Sequence, residues 1–124
     1  MKAEALTQIT LHVTDLARAR AFYGGQLGLE ELPRPESLRF PGAWFRAGTV
    51  VVQLAVRAKA DPPGLRGFTL WAENPRECAA ALALRGLTVS GEAAKIPGVE
   101  RVTVLDPDGN RIEFQGPDGQ TWAV

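Results

Sequence analysis

His12 is the single histidine of the chain, and an imidazole can serve as a base, as a donor to a ligand or as a metal ligand. It lies in the segment Gln8–Val13, in which aliphatic and polar residues alternate. A period of two predicts a half-buried strand and places His12 on the same polar face as Gln8. A lone histidine on such a face more often makes one hydrogen bond at a partly wet surface, and this interpretation stays open beside the functional one.

Glu113 is the carboxylate best placed for chemistry, because it lies in a predicted strand, Arg111–Gln115, that follows a turn of the type Asp-Pro-Asp-Gly-Asn. A carboxylate that is partly withdrawn from water in an apolar cleft could act as a base. The alternative is an ion pair with Arg101 or Arg111. Both interpretations predict a polar face around Glu113.

Aromatic residues on the same strand faces suggest a wall for a planar or apolar ligand. Trp71 shares a face with Thr69 and Gly67 in a predicted strand, and either Trp44 or Phe45 must point the same way in another. Ordinary core or dimer packing is the alternative for these residues. Trp122, in the polar tail, is interpreted as a dimer contact or a lid.

The elements that position these residues occur in the same order twice. In the first half a strand is followed by Asp15 as a helix cap, by a helix over residues 16–23 and by Gly28 as its stop. In the second half Asn74 caps a helix that runs to Gly86. Further strands are predicted at 30–32, 38–40, 44–46 and 49–56 in the first half, and at 67–72, 87–89, 93–96, 102–105 and 111–115 in the second.

Residues 61–64, Asp-Pro-Pro-Gly, are interpreted as the linker between the halves. Thr10 and Thr69 lie 59 residues apart, and Gln53 and Glu113 lie 60 apart. So steady an offset predicts an internal duplication, and 124 residues suffice for one domain built from the two copies.

Composition gives little information about partners. Fourteen basic and fourteen acidic residues cancel, which gives no argument for nucleic acid or an anionic membrane as a partner. Cys78 is the single cysteine, so an intrachain disulfide is excluded. With no apolar run of membrane-spanning length and no signal-peptide pattern, the sequence predicts a cytoplasmic protein.

Three motifs in order resemble the vicinal oxygen chelate superfamily, which includes glyoxalases, extradiol dioxygenases and metal-free bleomycin-binding proteins. They are Leu11-His12-Val13-Thr14-Asp15-Leu16 followed by Phe22-Tyr23 and Leu27-Gly28, the repeated strand–helix unit, and Asp106-Pro107-Asp108-Gly109-Asn110 followed by the strand with Glu113. The resemblance implies an α+β fold of two βαβββ modules, at 6–58 and 65–116, whose curved mixed sheets surround a central cleft. It also implies a homodimer.

In metal-using members of that superfamily, the resemblance implies one ligand from the first and one from the last strand of each module. The corresponding positions here are Gln8, Gln53, Gly67 and Glu113. Glycine has no side chain to coordinate with, and a neutral amide replaces a charged ligand at Gln53, which favours a protein without a metal. If the parent protein binds a zinc, nickel, manganese or iron ion, the expected donors are Gln8, Gln53, Glu113 and His12. If it binds none, the substitution Gly67→His is expected to restore a metal site, because the imidazole supplies the missing donor.

The resulting hypothesis is a protein that binds a small organic molecule in its cleft without a metal. The alternative is a metal-dependent glyoxalase-type lyase, isomerase or dioxygenase that acts on vicinal oxygens, with Glu113 and His12 as its catalytic residues. A third hypothesis, a purely structural interaction module, has no support in the sequence beyond the spare aromatic residues. The predicted ligand-binding residues are Gln8, His12, Trp44, Gln53, Gly67, Thr69, Trp71, Arg111 and Glu113.

Overall fold

The chain divides into two units in the computed structural model, Met1–Pro63 and Gly64–Val124. The structure describes residues 1–91 and 95–119. Each unit contains a four-stranded mixed sheet and one helical segment in the order βαβββ, so the predicted α+β class is confirmed. Among the described residues, no helix is long and apolar enough to cross a membrane.

The first unit has the strand order β1-β4-β3-β2. Its strands are β1 Gln8–Val13, β2 Glu30–Leu32, β3 Gly42–Ala47 and β4 Val50–Val56, and its helix α1 Leu16–Arg20 continues as a π-helical segment over Ala21–Gln26. Strands β1 and β4 run parallel, whereas β3 is antiparallel to both β2 and β4. The α1 segment supplies the crossover that the parallel pair requires.

The second unit repeats this arrangement with the strand order β5-β8-β7-β6. Its elements are β5 Gly67–Trp71, α2 Pro75–Leu84, β6 Ser90–Gly91, β7 Val99–Leu105 and β8 Arg111–Pro117. Thr69 pairs with Glu113 in this unit, as Thr10 pairs with Gln53 in the first. The residues that the two sequence offsets relate therefore occupy equivalent positions in the two sheets.

Alternation sorts the side chains onto two faces of each sheet. In the first unit Leu11, Val13, Val52 and Leu54 are buried, and Phe45 packs on the same side against the aromatic ring of Tyr23. These apolar residues form the core beneath the helical segment. The residues between them in the chain, among them the candidate site residues, occupy the opposite face.

The helix of the first unit begins where the sequence predicts and changes form near its end. The carboxylate of Asp15 accepts a hydrogen bond from the Arg18 backbone N–H at 2.9 Å. Across the π-helical segment the N–H of Leu27 donates to the carbonyl of Phe22 at 2.8 Å. A β-carbon on Gly24 would lie 3.3 Å from Cε1 of Phe45, so glycine there permits the close packing.

The turn before β8 is held by a single aspartate. Oδ1 of Asp106 accepts hydrogen bonds from the backbone N–H groups of Asp108 and Asn110, both at 2.9 Å. The side-chain amide of Asn110 donates to Oδ2 at 2.8 Å. Asn110 is buried, and these hydrogen bonds fix the start of β8 and with it the position of Glu113.

Two predicted strands are wrong. Residues 38–40 are irregular, and Phe40 packs its ring against the guanidinium of Arg34 instead of joining a sheet. Residues 87–89 are irregular as well, because the N–H of Leu87 donates to the carbonyl of Leu82 and closes the end of α2. The strand predicted at 93–96 falls partly outside the described residues, as Trp122 does entirely.

Candidate functional site

Glu113 carries an ion pair and a hydrogen bond on the polar face of the second sheet. Nε of Arg101 donates to Oε1 at 3.3 Å and Nη2 donates to Oε2 at 2.8 Å. The hydroxyl of Thr69 also donates to Oε1 at 3.3 Å. The carboxylate is therefore held by a bidentate guanidinium, which is the stronger form of charged hydrogen bonding.

The partner of Glu113 is Arg101 rather than Arg111, between which the sequence left a choice. Arg101 lies on β7, two residues before Thr103, which is paired with Glu113 across the ladder. This diagonal position brings a long side chain within reach of the carboxylate. The guanidinium offsets the negative charge that the proposed base would use, so the interpretation of Glu113 as an ion-paired residue agrees with the observed contacts.

A depression of about 370 Å³ lies beside this ion pair. Its polar lining includes Thr69, both arginines and Glu113, and its apolar lining includes Leu65 and Phe68. Two guanidinium groups and one carboxylate give the lining an excess of positive charge. Trp71 is not part of the lining, although it shares a strand face with Thr69, and its side chain is 62% exposed.

The equivalent face of the first sheet carries a neutral chain of hydrogen bonds. Nε1 of Trp44 donates to Oε1 of Gln53 at 2.8 Å, and Nε2 of Gln53 lies 3.2 Å from the hydroxyl of Thr10, to which it donates. An indole N–H can only donate, so it fixes which amide atom is the oxygen. Gln53 is 6% exposed, and its amide is held on both sides.

His12 forms a contact with a residue that the sequence did not indicate. Its Nδ1 lies 2.8 Å from Oδ2 of Asp61, and Arg57 approaches both groups, 3.4 Å from Nδ1 and 3.7 Å from the other carboxylate oxygen. Because a carboxylate only accepts, Nδ1 carries the hydrogen. The sequence places Asp61 in the linker, and no periodic pattern marks it as a partner of a strand residue.

The two remaining predicted ligand positions are at the beginnings of strands. Gln8 is exposed at the start of β1. Gly67 lies opposite Arg111 in the ladder, and a β-carbon built there would overlap the carbonyl oxygen of that residue. The backbone of β8 thus occupies the place of a new side chain at Gly67, which argues against a metal site in Gly67→His.

The residues at the four implied ligand positions do not fit a divalent ion. Gly67 offers no donor, the amide oxygen of Gln53 accepts from an indole, and a guanidinium covers both oxygens of Glu113. A second cation at Glu113 would have to displace Arg101. Within residues 1–91 and 95–119, no three His, Cys, Asp or Glu side chains are grouped so as to hold a metal ion.

The sequence of the chain matches the model of a known protein family. The model of the Glyoxalase/Bleomycin resistance protein/Dioxygenase superfamily matches residues 5–114. The chain belongs to this superfamily. The resemblance to vicinal oxygen chelate proteins is thereby confirmed for nearly its whole length. No curated protein sequence matched the chain.

Several solved structures share this fold. A Bacillus anthracis protein assigned to the glyoxalase family is 30% identical, with a TM-score of 0.86, and 95% of this chain and 98% of that chain are covered. TnmS3, an antibiotic binding protein from Streptomyces sp. CB03234, is 22% identical with a TM-score of 0.79, and coverage is 95% and 99%. Lactoylglutathione lyase from Agrobacterium tumefaciens is 24% identical with a TM-score of 0.75, and each chain is covered completely.

Proposed function

We propose that this member of the superfamily binds a small organic molecule without the help of a metal ion. The observation that carries the proposal is the bidentate contact between Arg101 and Glu113. This guanidinium supplies the positive charge that a metal would otherwise bring to the carboxylate. The superfamily includes members that only bind ligands, and the antibiotic binding protein from Streptomyces shares this fold.

The alternative, a metal-dependent lyase, isomerase or dioxygenase acting on vicinal oxygens, requires oxygen or nitrogen donors that are open to an ion. At Glu113 the donors are engaged by a cation, and at Gln53 the amide is engaged by Trp44 and Thr10. Breaking either network to admit an ion would leave buried polar groups without partners. The donor chemistry therefore supports binding over metal catalysis.

The depression in the second unit supplies groups suited to such a ligand. Arg111 and Thr69 provide polar atoms, whereas Leu65 and Phe68 provide apolar contact. A few polar groups in an apolar surround are the usual composition of a small-molecule site. We expect Trp71 to contribute a stacking surface next to this depression, because its ring is largely exposed on the same strand face.

Metal binding and ligand binding are tested on the full chain in separate measurements. After dialysis against a chelator, the protein is titrated with zinc, nickel, manganese and iron(II) by calorimetry. We expect no stoichiometric binding, and no difference between the parent and Glu113→Ala. One tightly bound ion that is lost in Glu113→Ala would show the metal-free proposal to be wrong.

Ligand binding is followed by the fluorescence of the tryptophans and by the thermal midpoint. A panel of neutral and charged aromatic compounds is titrated against the parent, Trp71→Ala and Arg111→Ala. Binding that weakens in both variants supports a site in the second unit. Binding that is unchanged in both variants contradicts this location.

We also propose a homodimer in the cytoplasm. Strands β2 and β6 lie at sheet edges, and the exposed Leu84 and Leu105 are large apolar side chains that a second copy would cover. The single thiol of Cys78 fits a reducing compartment. Light scattering at micromolar concentration is expected to give twice the mass of the chain, and a monomer mass would contradict the dimer.

A further inference from the structure

Arg34 lies in the irregular segment between β2 and β3, and part of its guanidinium lacks a hydrogen-bond acceptor among the described residues. Its Nε and Nη2 are both buried and have no hydrogen-bond partner among the described residues. The ring of Phe40 covers the guanidinium, with Cζ 4.5 Å from the ring centre. Buried N–H groups without an acceptor are costly, and their presence calls for an explanation.

The guanidinium also lies close to Gly42. A β-carbon built on Gly42 would lie 3.3 Å from both Cζ and Nη2 of Arg34, so the arginine lies directly against this part of β3. Gly42 lies two residues before Trp44, which is paired with Gln53. The guanidinium therefore lies against β3, the strand that supplies Trp44 to the Trp44–Gln53–Thr10 chain of hydrogen bonds.

The internal repeat relates the surroundings of Arg34 to those of Arg101 in the second unit. Gly42 precedes the partner of Gln53 by two residues, as Arg101 precedes the partner of Glu113 by two residues. Arg34 thus reaches over the position in the first unit that Arg101 occupies in the second. Arg101 has a carboxylate there, whereas the equivalent of that carboxylate in the first unit is the amide of Gln53, which Trp44 and Thr10 already engage.

We propose that Arg34 binds the carboxylate of a small organic acid, which takes the role toward Arg34 that Glu113 takes toward Arg101. Arg34 lies in the first unit, whereas the depression of the proposed function lies in the second, so the inference adds a site to that proposal. The Nε and Nη2 atoms form the edge of the guanidinium that matches the two oxygens of a planar carboxylate. Both nitrogens are enclosed, so the acid can reach them only by displacing a neighbouring side chain. Phe40 is that side chain, because its ring lies on the guanidinium and the residue is 42% exposed.

An aromatic acid is the best probe, since the ring of Phe40 already packs on the guanidinium. The full chain is titrated with phenylacetate, with its neutral analogue phenylacetamide and with inorganic phosphate, and binding is followed by calorimetry and by the thermal midpoint. The variants are Arg34→Met, which removes the guanidinium, and Arg34→Lys, which keeps the charge. Arg39→Met is the matched control, because Arg39 is an exposed arginine of the same segment.

We expect phenylacetate to bind and to raise the thermal midpoint of the parent and of Arg39→Met. In Arg34→Met and Arg34→Lys its affinity should fall about 10- to 100-fold, the loss that a pair of charge-assisted hydrogen bonds carries. Arg34→Met without ligand should unfold at a higher temperature than the parent, because it removes two buried N–H groups that have no acceptor. This second readout does not depend on which acid is tested.

Other outcomes separate the two proposals. Equal binding of phenylacetamide and phenylacetate would overturn the role of Arg34 and leave binding of an organic molecule intact. Equal stabilisation by inorganic phosphate would overturn the assignment to a carboxylate. Loss of phenylacetate binding in Arg39→Met but not in Arg34→Met would overturn the site, and absence of any phenylacetate binding in the parent would do the same.

Discussion

Arg101 donates hydrogen bonds to both carboxylate oxygens of Glu113, at 3.3 Å to Oε1 and at 2.8 Å to Oε2. The two side chains are 20% and 11% exposed, so solvent screens the pair only in part. The contact joins adjacent strands, β7 and β8, on the face that lines the depression. It therefore fixes both the charge of this face and the position of its carboxylate.

Removal of one partner of this pair should cost more stability than removal of both. Glu113 is 8% exposed, and in Arg101→Met the hydroxyl of Thr69 would be its remaining donor. We therefore expect this variant to lose about 1–3 kcal/mol in the free energy of unfolding. Arg101→Met combined with Glu113→Gln should recover part of this loss. A double-mutant cycle from urea unfolding measures the coupling, and additive losses would contradict the stabilising role of the pair.

The hydrogen bond from Trp44 to Gln53 should matter more than the indole N–H of Trp71. Trp44→Phe leaves the buried amide oxygen of Gln53 without its donor and should cost about 1–3 kcal/mol in urea unfolding. Trp71→Phe is the matched control, since this exposed side chain should tolerate the change within about 0.5 kcal/mol. Equal losses in the two variants would show that the indole of Trp44 acts through packing alone.

A side chain at Gly67 should disturb the sheet rather than complete a metal site. A β-carbon at position 67 would overlap the carbonyl oxygen of Arg111, so we expect Gly67→Ala to lower the free energy of unfolding by about 1–3 kcal/mol or more. For the same reason we expect Gly67→His to gain no metal affinity. Gly25→Ala is the control, because a β-carbon there meets nothing within 4 Å, and it should gain about 0.4–1 kcal/mol. Thermal unfolding with and without nickel measures both effects, and a stable, nickel-binding Gly67→His would contradict this placement.

The sequence predicted the regular parts of the fold because their periodicity and capping reflect local physics. Alternation located β1 and β8, and the caps Asp15 and Asn74 located the beginnings of both helices. The predicted strand at 38–40 failed because short apolar runs carry no information about whether a pairing strand is available. There Phe40 packs on Arg34 instead.

The site could be predicted only where a residue belongs to the repeat. The repeat matched Thr10 with Thr69 and Gln53 with Glu113, and these residues occupy equivalent positions in the two sheets. Of the two arginines that the sequence offered to Glu113, Arg101 contacts it. Arg34 and Asp61 lie in irregular segments, whose paths depend on tertiary contacts rather than on any period. Neither residue could be assigned a contact from the sequence for that reason.

The contact between His12 and Asp61 predicts a fixed tautomer, which can be observed directly because the chain has one histidine. In the parent, Nδ1 should carry hydrogen at neutral pH, since the carboxylate at 2.8 Å only accepts. Asp61→Ala removes this acceptor, and the fraction with hydrogen on Nδ1 should fall. Nitrogen-15 spectra of the imidazole distinguish the two ring nitrogens, and unfolding in urea should show a loss of about 1 kcal/mol in the same variant. Glu36→Ala, at an exposed position of the same unit, is the control and should leave both the spectrum and the stability unchanged. If Asp61→Ala leaves the spectrum of His12 as it is in the parent, the carboxylate does not determine which ring nitrogen carries the hydrogen.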